Sequence, residues 1–164
     1  LIISGDTLHV IVAHLPSRRG GEQHSRPFRR VVAEKICAIA DSVRAISADA
    51  KIIVAGDFND YTTSESVRMV CSTGFTDVSA KAVGQNGARA TYKYRGEWRS
   101  LDHILVSTSM MPDVRSCRVH DARFLLVEDE KYGGVQPRRN YLGPRWRDGF
   151  SDHLPLVAEF ALDE

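Results

Sequence analysis

Polar side chains stand at four places where an apolar, strand-like segment of this 164-residue sequence ends. An unpaired charge would be costly in a core, so these groups should lie at its edge. They are His14 after "VIVA", Asp57 and Asn59 after "KIIVAG", Asp102 in "LDHILVS", and Asp152 with His153 in "SDHLPL". Any one of them could be an ordinary turn residue. If the strands share a sheet, however, three carboxylates, one amide and two imidazoles would meet around one cleft.

This set of groups suits the metal-assisted hydrolysis of a phosphoester. Mg²⁺ takes few protein carboxylates and otherwise binds water and phosphate oxygens, so Asp152 is a candidate ligand. Asp102 could orient the ring of His153, and Asp57 could align or deprotonate an attacking water. Asn59 is always neutral and could donate a hydrogen bond to a phosphate oxygen. Because Asp57 and Asn59 are two residues apart at a strand end, we expect both to point to the same side.

Helical and strand patterns alternate in the first half of the chain. "LIIS" and "TLHVIVAH" predict a hairpin that turns at Gly5 and Asp6. Helical spacing predicts a long helix over residues 26–46 with Ser25 as its cap. Its apolar positions are Phe28, Val31, Val32, Ile36, Ile39, Ala40, Val43 and Ile46. A buried strand is predicted at residues 51–55, and a second helix at residues 63–74.

Strands and turns dominate the second half. "ATYKYRG" and "WRSLDHILVS" predict a hairpin around Gly96, and further strands are predicted at Val114–Val119 and in "LPLVAEFAL". Residues 128–150 are rich in Gly, Pro and Arg and predict a long loop. The pattern predicts one domain over residues 1–164 in the α/β (α+β) class, with a mixed, largely antiparallel sheet and flanking helices.

Composition excludes several classes of protein. The sequence has no run of eighteen apolar residues that could cross a bilayer, so no membrane span is expected. The net charge of +1 gives no molecule-wide field toward a polyanion. The three cysteines, Cys37, Cys71 and Cys117, lie far apart in the sequence, which favours buried free thiols over a zinc site or disulfides.

Four motifs in order carry a family resemblance: "HLPSRRGG", "GDFND", "LDHILVS" and "SDHLPL". With them, nearly the whole chain resembles the carboxyl-terminal half of the endonuclease/exonuclease/phosphatase superfamily, which has the deoxyribonuclease-I-like fold. The resemblance implies a two-sheet sandwich of four layers, of which this chain would supply one half. It also implies cleavage of phosphodiesters or phosphomonoesters with Mg²⁺ or Mn²⁺ as the cofactor.

The resemblance gives each polar group a role by matching position. These are Asp57 and Asn59 as the water-aligning and phosphate-contacting pair, Asp102 as the partner of His153, His153 as the group that contacts or protonates the phosphate, Asp152 as a metal ligand, and His14 as a second phosphate-facing imidazole. Its implied substrate is a phosphoester, with nucleic acid favoured over lipid or inositol phosphates.

Other residues are weaker candidates. Arg18 and Arg19 could grip phosphate through their forked donors, although solvated loop arginines are as good an interpretation. Trp98 could lie beside the substrate or pack beneath its hairpin. Four arginines make the predicted loop at residues 128–150 basic: Arg138, Arg139, Arg145 and Arg147. His103 should face away from Asp102 along the strand and is left out of the site.

The chain also departs from the family pattern. It begins on an apolar strand without an initiator Met, and it lacks the early Asn and the metal-holding Glu of the family's amino-terminal half. We therefore expect a partial domain with weak metal binding and slow or absent hydrolysis. The apolar face of its sheet should be covered by a second copy, in a homodimer, or by the missing half. A non-catalytic binding or scaffold domain is the alternative function.

Overall fold

A five-stranded mixed sheet forms the centre of the computed structural model, which describes residues 1–3 and 6–161. The strands are β1 Ile2–Ile3, β2 Asp6–His14, β3 Lys51–Asp57, β4 Phe75–Asp77, β5 Tyr92–Tyr94, β6 Glu97–Arg99, β7 Asp102–Ser107, β8 Val114–Val119, β9 Leu126–Glu128, β10 Val135–Pro137, β11 Tyr141–Leu142, β12 Arg145–Trp146 and β13 Leu156–Phe160. The helices are α1 Glu22–Ile46 and α2 Glu65–Ser72, with 3₁₀ turns at Thr108–Asp113 and Arg123–Leu125.

The central sheet has the order β1-β2-β3-β7-β4. Strands β2 and β3 are parallel and are joined through α1, whereas the other neighbours in this sheet are antiparallel. Four two-stranded antiparallel pairs accompany it: β5–β6, β8–β13, β9–β10 and β11–β12. The predicted fold class, mixed α/β with a largely antiparallel sheet, is confirmed.

The two faces of the central sheet are covered differently. One face packs Ile52, Val54 and Leu105 against buried residues of α1 and α2. On the other face, Leu8, Ile53 and Val106 form a smaller cluster, with Val114 of β8 and Phe160 of β13 packed against it. Near the β2 edge this second face is open, because Val10 and Val12 are 46% and 79% exposed.

Helix α1 begins one turn earlier than predicted, at Glu22. Ser25 is not its cap but lies inside the first turns, where its hydroxyl donates to the Gly21 carbonyl at 2.9 Å. Four of its predicted apolar-face residues are exposed, at 40–90% of their surface: Phe28, Val31, Ile39 and Ile46. The buried face carries Ala33, Cys37, the predicted Ile36 and Ala40, and the fully buried Arg29. Helical spacing allows two adjacent apolar stripes here, and the sequence does not say which one meets the sheet.

Other elements differ from the prediction in detail. Helix α2 is shorter than residues 63–74, and the predicted loop at 128–150 contains the β11–β12 hairpin and most of β9–β10. "WRSLDHILVS" divides into β6 and β7. The predicted turn residue Gly5 and the last strand's Leu162 lie outside the described residues. In the described part of the chain, no helix could cross a membrane, and all three cysteines are free, with only Cys37 buried.

Gly56 permits the close pairing of β2 and β3 just before Asp57. Its φ is +142°, and a Cβ atom at this position would lie 1.9 Å from the Ala13 carbonyl oxygen. Any other residue would therefore push the two strands apart at the end of the sheet that carries His14 and Asp57.

We predict that Gly56→Ala lowers the free energy of unfolding by about 3 kcal/mol or more, because it adds backbone strain and a backbone clash. Gly143→Ala is the matched control: its φ is +59° and no atom lies within 4 Å of the added Cβ. The control should lose only about 1 kcal/mol. Urea unfolding measures both, and equal losses would contradict the clash.

Candidate active site

Strand register places three of the predicted site residues side by side. His14 of β2 pairs with Asp57 of β3, and Asp57 pairs with Asp102 of β7. An isolated bridge between Tyr92 and His153 brings the histidine to the same place. One ligating atom from each of Asp57, Asp102 and His153 lies within 4.8 Å of the others. Segments distant in the chain thus meet at one rim of the sheet.

His153 is held in one orientation. Its Nδ1 lies 2.7 Å from Oδ2 of Asp102, and the Thr91 hydroxyl donates to that same oxygen. The Tyr92 ring packs against the imidazole with 4.8 Å between ring centroids. Among the described residues Nε2 of His153 has no hydrogen-bond partner. The ring therefore offers this nitrogen to a ligand while Asp102 holds the other.

Burial and neighbouring charges shift the pKa values of this cluster. Burial raises the pKa of Asp57. The hydrogen bond from the Asn59 backbone N–H lowers this pKa, and the negative charge of Asp102 raises it further. For His153, burial alone would lower the pKa, but the hydrogen bond and charge of Asp102, with the charge of Asp57, outweigh it and raise the pKa above its usual value. Asp57 is thus a better base and His153 is more readily protonated.

Asn59 reaches Asp57 through a turn and not through strand alternation. Strand β3 ends at Asp57, and Asn59 has a left-handed φ of 50°. Its backbone N–H donates to Asp57 Oδ1 at 2.8 Å, and its Nδ2 donates to the Leu15 carbonyl at 2.9 Å and to Asp57 Oδ2 at 3.2 Å. Both amide hydrogens are used inside the protein, so Asn59 here fixes the Asp57 carboxylate.

The remaining predicted residues lie at different distances from this cluster. His14 is mostly exposed, with its Nε2 3.5 Å from Asp57 Oδ2. Asp152 is exposed and is not among the three clustered residues; its charge acts on His153 only as a minor influence. Arg18 is committed to ion pairs with Glu22 and Asp60, whereas Arg19 is exposed.

Trp98 lines an open groove near the start of β7. The groove has a volume of about 540 Å³. Its walls are Tyr61, Arg89, Ala90, Gly96, Glu97, Trp98, Arg99 and Ser100. In the sequence, Tyr61 lies four residues after Asp57 and Ser100 two residues before Asp102, but none of the three clustered residues lines the groove.

Sequence reasoning missed three residues that support the cluster: Thr91, Tyr92 and Asp60. Thr91 and Tyr92 belong to "ATYKYRG", which predicts a strand but gives no sign of its contact with Asp102 and His153. Asp60 reads as a turn residue in "GDFND", yet it is 2% exposed. His103 lies outside the cluster, with Nδ1 2.8 Å from Asp77 Oδ2.

Comparison with known proteins identifies the family. The model of the endonuclease/exonuclease/phosphatase family matches residues 2–161. The chain belongs to this family. No curated protein matches it. The family resemblance of the motifs is thereby confirmed over nearly the whole sequence.

Solved structures share the fold of this endonuclease/exonuclease/phosphatase family member. A mannosyl-6-phosphatase from Bacteroides thetaiotaomicron is 18% identical with a TM-score of 0.60, and the match covers 97% of this chain and 53% of that one. A double mutant of beta toxin from Staphylococcus aureus, with bound magnesium ions, is 22% identical with a TM-score of 0.61, covering 96% and 54%. Truncated TDP2 from Caenorhabditis elegans is 18% identical with a TM-score of 0.56, covering 96% and 56%. The chain thus spans about half of each matched structure.

The clustered side chains of this family member fit a hard divalent cation. Two carboxylates and an imidazole lie close enough to share one ion. The hydrogen bonds from His153 and Thr91 both use Oδ2 of Asp102, so its second oxygen has no such partner among the described residues. Asp57 and Asp102 could therefore supply oxygens to Mg²⁺ or Mn²⁺ while Asp102 keeps its contact with His153.

We predict that Asp102→Asn lowers the pKa of His153, because burial then acts without the carboxylate that opposes it. NMR titration of the ring measures this shift. Protonated His153 stabilises the wild-type fold fully below about pH 6.5, and this contribution is lost as pH rises through the raised pKa. Asp152→Asn is the control and should lower the pKa less. An equal or larger shift in the control would contradict the dominance of Asp102.

Proposed function

We propose that this chain carries part of the active site of a metal-dependent phosphoester hydrolase that cleaves phosphodiesters, with nucleic acid as the favoured substrate. The observation that carries the proposal is the meeting of Asp57, Asp102 and His153 at the ends of separate segments. Family membership supports hydrolysis of phosphoesters in general. The choice of phosphodiesters, and of nucleic acid as the substrate, rests on the chemistry of the site.

Each clustered residue has a chemical task in this proposal. The raised pKa of Asp57 suits a base that aligns or accepts a proton from an attacking water. Nε2 of His153 is free to contact or protonate a phosphate oxygen while Asp102 holds the ring. Asn59 keeps Asp57 in place, and the exposed His14 can approach the phosphate from the β2 side.

A divalent cation would be held by the carboxylates of Asp57 and Asp102, with His153 nearby. When bound, Mg²⁺ or Mn²⁺ supplies positive charge that offsets the developing negative charge on the phosphoryl oxygens. Asp152, exposed in this structure, remains a further candidate ligand. Asp57, Asp102 and His153 would then position water and substrate. Without the ion, the two carboxylates leave the site rich in negative charge.

The groove lined by Trp98 supports a nucleic-acid substrate. Aromatic rings stack bases, and arginines pair with backbone phosphates. Tyr61 and Trp98 supply the rings, and Arg89 and Arg99 supply the positive charge. In the described part of the chain, Arg89 forms no salt bridge, whereas Arg99 pairs with Glu97 at 3.2 Å. The exposed Arg19 could add a phosphate contact next to His14.

A lipid phosphodiester is a second candidate, favoured by one observation. The β11–β12 hairpin exposes Tyr141, Leu142 and Trp146 at 53–59% of their surface, beside the exposed Arg145. Aromatic and basic residues together suit a membrane interface. The non-catalytic binding domain is the third candidate, and it predicts that the cluster holds no cation.

We expect Mn²⁺ to bind the wild-type chain weakly, with a dissociation constant in about the millimolar range, because few carboxylates hold it. Asp57→Asn should weaken binding at least about tenfold, since it removes a clustered oxygen ligand. Electron paramagnetic resonance of free Mn²⁺ measures both. Asp152→Asn, measured in parallel, reports whether the exposed carboxylate also contributes.

Asp49→Asn, an exposed change beyond α1, is the control for nonspecific binding and should bind as the wild type does. Unchanged binding in Asp57→Asn would contradict the proposed cation site and favour the non-catalytic alternative. Hydrolysis of bis(p-nitrophenyl) phosphate should be slow or absent. A robust magnesium-dependent rate that Asp57→Asn abolishes would contradict the expected weakness and support the hydrolase.

The open face at Val10 and Val12 leads to a prediction about assembly. Exposed apolar surface of this kind favours association. We expect the purified chain to form a homodimer through this face, unless an amino-terminal half of the fold covers it. Light scattering should show a dimer for the wild type and a monomer for Val12→Asp. A monodisperse wild-type monomer would contradict the prediction. Val31→Asp, on the exposed face of α1, is the control and should leave the dimer intact.

A further inference from the structure

Asp60 is a buried carboxylate directly after the turn that holds Asp57 and Asn59. Its side chain is 2% exposed. One oxygen, Oδ2, lies 2.9 Å from Nε of Arg29 and accepts a hydrogen bond from the Ser66 hydroxyl at 2.6 Å. The other oxygen lies 3.3 Å from Nη1 of Arg18. Buried charge on this scale needs an explanation, because carboxylates rarely leave water.

Arg29, the main partner, is fully buried in α1. Its Nη1 donates to the Ser25 hydroxyl at 2.7 Å, and its Nη2 lies 2.9 Å from Glu22 Oε1. The guanidinium is thus fixed by its own helix, and its Nε forms an ion pair with Asp60 that lacks hydrogen-bond geometry. The ion pair therefore joins α1 to the segment that follows β3.

Two more elements meet at Asp60. Ser66 belongs to α2, and Nε2 of His103, on β7, lies 2.8 Å from the Asp60 backbone carbonyl oxygen. The next residue toward the amino terminus is Asn59, whose left-handed backbone and amide contacts fix the Asp57 carboxylate. Asp60 therefore ties one end of this turn to both helices and to the neighbouring strand.

Stability alone does not account for this ion pair. Replacing a buried pair by neutral residues of similar volume is often neutral or stabilising, whereas removing one partner leaves an uncompensated charge. What a neutral pair cannot supply is the charge attraction that holds Asp60 between Arg29 and Arg18.

We propose that Arg29 and Asp60 are positioning residues that hold the Asp57–Asn59 turn in the geometry needed to bind a cation. The effect on cation binding rests on the proposed function. The effect on the turn does not, because hydrogen exchange of the Asn59 amide, which donates to Asp57 Oδ1, reports it directly.

The experiment compares Arg29→Met, Asp60→Asn and the double variant in the full chain. Each single change should lower the urea midpoint of unfolding, and the double variant should recover most of that loss. If the pair served stability alone, the double variant would also recover the wild-type Asn59 exchange rate and Mn²⁺ affinity. We expect instead that the double variant exchanges the Asn59 amide about tenfold faster than the wild type, with Val54 unchanged, and binds Mn²⁺ about tenfold more weakly.

A second ion pair at the far end of β3, partly exposed and shared with Asp6, is the control. Lys51 Nζ lies 3.1 Å from Asp113 Oδ2. The double variant Lys51→Met with Asp113→Asn should leave Asn59 exchange and Mn²⁺ affinity as in the wild type. Equal effects in both double variants would overturn the proposal, because loosening would then be general.

The outcomes separate the two hypotheses. Wild-type exchange and affinity in a stable Arg29→Met/Asp60→Asn variant would overturn the positioning role. Faster Asn59 exchange in a chain whose wild type binds no Mn²⁺ would uphold positioning of the turn and refute the proposed function. If the double variant does not fold, Arg29→Lys keeps the charge but loses the fork. A larger increase over the wild-type exchange rate at Asn59 than at Val54 then supports the role, and wild-type exchange at Asn59 overturns it.

Discussion

The candidate site depends on the register of three neighbouring strands. Parallel pairing of β2 with β3 and antiparallel pairing of β3 with β7 put His14, Asp57 and Asp102 in one row. That register requires β2 and β3 to approach closely at Gly56, where a side chain would meet the Ala13 carbonyl. A shift by one residue would turn the carboxylates toward the opposite face, and the cluster would be lost. The chemistry therefore rests on backbone geometry before any side chain acts.

Around this row the protein uses two kinds of support. Apolar packing against α1 and α2 fixes the sheet, with Val54 and Leu105 fully buried. Polar contacts fix the individual groups: Thr91 holds Asp102, and Asp102 holds His153. Apolar contacts are not directional and tolerate small shifts, whereas hydrogen bonds set the orientation of a carboxylate or ring. Because the site needs oriented groups, charged and polar residues are buried next to it.

Sequence patterns predicted the motif positions well and the supporting contacts poorly. The ends of apolar segments identified Asp57 and Asp102, because a charge there interrupts a recognisable strand. Arg29 gave no such signal, since an arginine in an amphipathic helix reads as solvent-exposed, yet it is fully buried. Asn59 was predicted to share a face with Asp57 by strand alternation, but a left-handed turn brings it there. Local periodicity does not encode partners that come from distant segments.

The sequence by itself determined the mixed α/β class, the family, and the residue types available for phosphoester chemistry. These depend on local patterns and short motifs, which are written in consecutive residues. Only the tertiary structure decided which of those residues meet: it joined Asp57, Asp102 and His153 and left Asp152 exposed outside the cluster. The reason is that distance between side chains is set by strand register and buried ion pairs, which involve residues tens of positions apart, and by turn conformation, which strand alternation does not predict.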